Sequence, residues 1–208
     1  DDASLSALHR AAVAFAHVRY LDCAFFRLTA DRFTEAADQS PGNVSANAAS
    51  QLAAAYARIG QALVDVGAAN AVRAFWVALC RVMIAHEQEP DLWAQYTPRH
   101  LANLAAGLAA CGEVDSRGRV TGYVSDAGSV TEGRGQSRCD PGGDSELAGA
   151  LLALTKILLH ENGIRIRGLT DRGLALVARC LASCNLPDAD QVFNAVSEEA
   201  KERAPRLR

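Results

Sequence analysis

The sequence predicts an all-α chain of about four helical hairpins repeated along one domain, and three observations carry that expectation. Half of the 208 residues are apolar while only 6% are aromatic, a balance that suits closely packed helices better than a β-sandwich. Apolar residues recur at i, i+3, i+4, i+7 and i+8, the spacing of one helical face. Four segments, opening at Ser4, Ser45, Thr97 and Thr170, carry small and apolar residues at matching offsets, so the period belongs to a repeat and not to one helix.

The first segment, residues 4–19, places Leu8, Ala11, Ala12, Phe15 and Ala16 on its apolar face; residues 45–60 place Ala49, Leu52, Ala53, Tyr56 and Ala57 in the same columns. Residues 97–112 hold Leu101, Leu104, Ala105, Leu108 and Ala109 there, and residues 170–185 hold Leu174, Val177, Ala178, Leu181 and Ala182. Each opening Ser or Thr can accept the orphan amide hydrogen bonds of a first turn, and Pro98 suits the first helical position. Gly60, Gly112 and Asn185 are expected to end their helices in the left-handed conformation.

A second apolar stretch follows each first helix, at 22–37, 68–86, 145–160 and 188–203, which gives hairpins at about 4–38, 45–88, 97–161 and 170–203 within a single domain, 1–208. Phe25, Phe26, Phe33, Phe75, Trp76 and Phe193 fall in these second helices, where large side chains can fill the space left by the alanine-rich first ones. Residues 113–144, rich in Gly, Ser, Arg and Asp, are expected to form a disordered insertion within the third hairpin, because they lack the apolar area to offset their ordering entropy.

The formal charge of -3 provides no overall basic field, so any contact with nucleic acid must come from a local patch. The six cysteines lie mostly within apolar helical patterns and are expected to be reduced. No uncharged apolar run reaches the length of a membrane span, so no membrane insertion is expected. The opening residues have neither a basic start nor a signal-like apolar region, and the compartment is not readable from them.

The run Thr97-Pro98-Arg99-His100-Leu101-Ala102-Asn103-Leu104-Ala105-Ala106-Gly107-Leu108-Ala109-Ala110-Cys111-Gly112 resembles the first helix of an octotricopeptide-type repeat. It is similar also to heptatricopeptide repeats of organellar proteins and to the leucine-rich region of FAST-kinase-like proteins. Leu169 and Thr170 through Cys184, with Pro187, Asp188 and Phe193 beyond, resemble a complete unit of that class. Tetratricopeptide repeats fit less well, since their shorter period and Trp/Gly/Tyr pattern are missing. The resemblance implies a right-handed α-solenoid that acts on organellar rRNA or mRNA without catalysis, in the mitochondrial matrix or alternatively a plastid. Many members of these families carry a C-terminal RAP domain, which the few residues after Arg203 are not expected to form.

One stripe beside the apolar face carries Ser6, Arg10, Val13 and His17, then Asn47, Gln51, Ala54 and Arg58, then Arg99, Asn103, Ala106 and Ala110, then Arg172, Leu176, Arg179 and Ser183. These lie at i, i+4, i+7 and i+11, so each set shares a helix face, and in a stack of repeats the four faces would join. Arg165 and Arg167 add charge next to Arg172 and Arg179. The candidate RNA-binding set is therefore Arg10, Arg58, Arg99, Asn103, Arg165, Arg167, Arg172 and Arg179, because arginine forks match phosphate oxygens. The alternative for the same stripe is an ordinary solvated helix face. The tail cluster Lys201, Arg203, Arg206 and Arg208 reads equally as helix-end cations or as a phosphate clamp.

Cys180 and Cys184, with Cys111 in the equivalent column, lack the C-x-x-C pair or spaced histidines of a metal site. No hydrolase, P-loop, dinucleotide-binding or zinc-protease motif occurs, so neither a catalytic residue, a metal nor a cofactor is expected. Two roles follow: an RNA-binding component of a mitochondrial ribonucleoprotein such as the ribosome, or a scaffold that contacts neighbouring protein subunits only.

Overall fold

In the computed structural model the described residues are 2–111, 145–183 and 189–204, and they are all-helical, with no strand among them. The helices are α1 (Asp2–His17), α2 (Cys23–Gln39), α3 (Ala46–Asp65), α4 (Ala69–Gln88), the single turn α5 (Pro90–Trp93), α6 (Pro98–Cys111), α7 (Ser145–Arg167), α8 (Asp171–Ser183) and α9 (Ala189–Arg203). The expected disordered insertion at 113–144 and the expected stops at Gly112 and Asn185 lie outside the described residues.

The expected caps form at three of the four first helices. Ser45 Oγ accepts from the Ala48 amide at 3.2 Å, Thr97 Oγ1 from His100 at 3.3 Å, and Thr170 Oγ1 from Gly173 at 3.1 Å. Two expectations fail. Helix α1 begins at Asp2, so Ser4 lies within it and not at its start. Gly60 does not end α3; it is buried within the packing, and the helix runs on until Gly67, whose φ of 86° supplies the left-handed stop. Ala68 N–H then closes onto the Leu63 carbonyl at 2.8 Å.

First helices pack on first helices, α1 on α3, α3 on α6 and α6 on α8, while α2 packs on α4, α4 on α7 and α7 on α9. Between these two series lies the core. Tyr56 of α3 stacks on Phe75 of α4 with ring centres 4.0 Å apart, and Phe26, Phe33 and Trp76 close around them. The Tyr56 hydroxyl, fully buried, donates to the Phe26 carbonyl at 2.6 Å and so ties α3 to α2. Large residues of the second helices, Phe26, Phe75 and Trp76, thus gather around Tyr56 of a first helix.

Close approach has a specific price at α6. A Cβ on Gly107 would stand 2.9 Å from Ala53 Cβ and 3.1 Å from the Trp76 ring, so only glycine lets α6 settle against both α3 and α4.

Helix α7 is regular to His160, where ψ turns to 143°, and Glu161, Asn162 and Gly163 follow in the left-handed region before a last turn to Arg167. Gly163 adopts that conformation freely, whereas Glu161 stores strain of about 1 kcal/mol there. Among the described residues one helix, Glu146–Arg167, is long and apolar enough to cross a membrane; half of that window is buried in the packing. Cys23, Cys80 and Cys180 are not joined in disulfides.

Candidate nucleic-acid interface

Because α6 lies between α3 and α8, the polar stripes of these helices face a common space, an open groove of about 780 Å³. Its floor is methyl groups, from Ala54 and Ala57 of α3 and Ala102, Ala106, Ala109 and Ala110 of α6. Its rim is cationic: Arg58, Arg99, Arg172 and Arg179 line it together with His17, and no aspartate or glutamate is among the described lining residues. All four arginines are solvent-exposed. In a chain with a net charge of -3 this is a local positive field.

Two helix starts meet at one end. Thr97, Pro98 and Arg99 open α6; Thr170 and Arg172 flank the start of α8; all line the groove. A Cβ on Gly168 would come within 2.6 Å of Pro98 Cγ, so the α7–α8 turn lies directly against the α6 start. Both helix dipoles present their positive ends here, and an anion placed between them gains from both. Asp171 sits in the first turn of α8 but is held by Arg203 at 3.0 Å and is not part of the lining.

At the other end Arg58 Nη1 donates to His17 Nδ1 at 2.7 Å, joining α3 to the last turn of α1. Next to Arg99, the His100 Nδ1 lies 3.4 Å from the Thr97 amide and 3.2 Å from the Gln95 carbonyl. It accepts from the first only when unprotonated and donates to the second only when protonated. Burial holds this imidazole below its ordinary value, although the Gln95 carbonyl opposes it, and the Arg99 charge adds to the depression.

Five of the eight sequence-derived candidates, Arg58, Arg99, Asn103, Arg172 and Arg179, therefore line one groove. Three do not. Arg10 is turned along α1, its Nη2 donating to Ser6 Oγ at 3.0 Å. Arg165 follows the left-handed turn and is half-buried, with Nη1 enclosed and unpartnered, and desolvation lowers its pKa. Arg167 is exposed beyond the groove lining and gives its carbonyl to Arg203.

Of the tail cations, Lys201 pairs with Glu198 and Arg203 with Glu199 and Asp171, while Arg206 and Arg208 lie outside the described residues. Arg203 also donates to the Leu169 and Arg167 carbonyls at 2.7 and 2.9 Å, which makes it a clamp on the α7–α8 turn.

The candidate set drawn from the sequence leaves out His17, Thr97 and Thr170, which also line the groove. His17 occupies the column of Arg58, so the stripe itself contained that signal; the threonines were read only as caps. Among the described residues no group of three metal-ligating side chains occurs. Chemically the groove is fitted to hold anionic oxygens. No protein-family model, curated protein or solved structure matches the chain.

Proposed function

We propose that this chain is a non-catalytic helical-repeat protein, a right-handed α-solenoid, that binds RNA along the groove of its first helices. The observation that supports this reading most is the groove's lining: four arginines and a histidine, without a carboxylate among the described lining residues. Phosphate is the anion that polymeric RNA presents in series, and neutralising it releases counterions. The solenoid reading draws support from two parallel packing series, α1–α3–α6–α8 and α2–α4–α7–α9. The resemblance of the α6 and α8 segments to organellar repeats adds the setting, a mitochondrial ribonucleoprotein such as the mitochondrial ribosome.

The test is binding of the whole chain to labelled RNA across a salt series. Binding at low salt with a steep negative dependence is expected; no affinity at low salt sinks the proposal.

A second reading, the scaffold, is favoured by one observation. Val18, Tyr20, Leu21 and Val66, at the α1–α2 and α3–α4 turns, are exposed apolar side chains, and Arg27 joins the start of α2 to the Gly67 carbonyl at 2.9 Å. Isolation of the tagged protein from its native cells, followed by nuclease digestion and sizing, separates the two. A particle that collapses on digestion supports RNA anchoring, and one that survives supports protein contacts.

A further inference from the structure

We infer that the groove holds the phosphodiester backbone and is blind to the bases. This rests on the RNA-binding reading above and narrows it to a ligand chemistry: a run of phosphates carried on a nucleic-acid strand, accepted whatever its sequence.

Reading an unpaired base requires either a flat π surface on which it stacks or amide and hydroxyl groups that match its edge. Among the described lining residues there is no Phe, Tyr or Trp, and the one aromatic ring, His17, is already engaged at Nδ1 by Arg58 at 2.7 Å. The rings that could have served, Tyr56, Phe75, Trp76, Phe26 and Phe33, are spent in the core between the two helix series and are essentially inaccessible. Edge-matching groups are few: Asn103 is the single Asn or Gln among the described lining residues, and the two hydroxyls, Thr97 and Thr170, already accept from the His100 and Gly173 amides as helix caps.

The columns give the same answer. A reader that assigns one base to each repeat needs a specifying polar pair in register on every first helix. Here the register position of Asn103 holds Leu176 in α8 and, in α3, Gln51, which donates from Nε2 to Asn47 Oδ1 at 2.8 Å and is not among the described lining residues, while the next column holds Ala54, Ala106 and Arg179. What recurs is arginine in the first turn, as Arg99 in α6 and Arg172 in α8, each at a helix start that already favours an anion. Repetition is retained for charge and lost for discrimination. Guanidinium forks on phosphate oxygens fix a strand's position while carrying no sequence information.

The experiment uses the full chain with poly(U), poly(A) and poly(C) strands of equal length, the matching DNA homopolymers, and inorganic polyphosphate as competitor, each over a salt series. The expected result is affinities within about threefold across the homopolymers and between RNA and DNA, displacement by polyphosphate, and a log–log salt slope of about -3, the value for four phosphates neutralised on a single strand. Arg172→Ala, on an exposed position, is expected to make the slope shallower by about 0.7, one phosphate contact, and to weaken all homopolymers by the same factor. Asn103→Ala is expected to leave their ranking unchanged.

A tenfold or greater preference for one homopolymer, or a ranking that changes in Asn103→Ala, overturns base blindness and leaves RNA binding standing. Failure of every homopolymer to bind at low salt overturns the inference together with the reading on which it rests.

Discussion

The chain carries arginine on two faces in opposite company. On the second-helix face Arg81 bridges Asp38 at 3.0 Å and Glu146 at 3.1 Å, Lys156 meets Glu87 at 2.6 Å, and Arg32 meets Glu35 at 2.9 Å. A shallow hollow there, of about 330 Å³, is lined by Arg73 and Arg81, again with no carboxylate among its described lining residues, but Asp38 and Glu146 reach Arg81 from beside it. On the first-helix face the arginines surround a larger groove with no carboxylate among its described lining residues. A solvated face gains little from holding like charges together and usually intersperses acids, as the second-helix face does. On the RNA-binding proposal, the side that meets the anion is the one whose groove is lined by four arginines and two helix starts.

The largest effect is expected from removing that imbalance. Changing Arg58, Arg99, Arg172 and Arg179 together to alanine should weaken RNA binding about a hundredfold or more and flatten its salt dependence. Changing the three cations Arg32, Arg81 and Lys156 to alanine should leave affinity within about threefold, because those charges are paired with carboxylates and lie on the other face. Titration by fluorescence anisotropy at low salt checks both, and equal losses from the two sets would break the distinction between the faces.

Next comes the junction that holds α6 between its neighbours. Gly107→Val forces branched carbon into the space already occupied by Ala53 and the Trp76 ring. A loss of about 2 kcal/mol in urea unfolding is expected, within the range for overpacked cores, and it should shift the midpoint with little change in slope. A groove formed by α3, α6 and α8 should lose RNA affinity in this variant although no charge has changed; unaffected affinity would mean that the groove does not depend on α6's position.

How much of this was legible follows from what each level of the sequence encodes. The period-3.6 stripe and the Ser/Thr openings gave the first helices, because both signals are local: Ser45, Thr97 and Thr170 cap amides three residues away. Gly60 misled, since glycine in a sequence reads as a stop, whereas in α3 it is a buried residue of a helix that continues to Asp65. The groove was half legible. The columns put Arg58, Arg99, Asn103, Arg172 and Arg179 on equivalent faces, but the fate of Arg165 depended on three left-handed residues in a row, and no single-residue preference announces that turn. Nor could composition tell that Arg203, one cation of a basic tail, would be committed to carbonyls of the α7–α8 turn.

Acidification separates the faces in another way. His86, buried in α4, shares a hydrogen bond between Nδ1 and the Tyr96 hydroxyl, 2.5 Å apart, and its Nε2 is enclosed without a partner. Burial lowers its pKa, with the Pro41 carbonyl and the Glu89 charge among the groups opposing that shift. The unfolded chain therefore takes up a proton that the folded one refuses, so the stabilisation is complete above the unfolded imidazole value and is lost as pH falls below it towards the folded value. Stability should decline between pH 7 and pH 5 by at most about 1.4 kcal/mol per pH unit from this group. The groove arginines stay charged throughout that window. His86→Leu should flatten the decline in thermal melts; an unchanged slope would remove His86 as its source.

The smallest effect tests the balanced face by a single charge. Arg81 is half-exposed and holds carboxylates from α2 and α7, so Arg81→Ala leaves Asp38 and Glu146 facing one another's helices without their shared cation. Solvent screens both, and the expected loss in stability is about 1 kcal/mol or less. Its effect on RNA binding is the sharper reading. Arg172→Ala removes a groove charge at the positive ends of two helices and should lower affinity severalfold, whereas Arg81→Ala removes the same formal charge from a neutralised cluster and should change it by less than a factor of two. Side-by-side salt titrations of the two variants decide whether position or net charge governs binding. If Arg81→Ala weakens binding as much as Arg172→Ala, the protein attracts RNA by its total charge, and the groove loses its special standing.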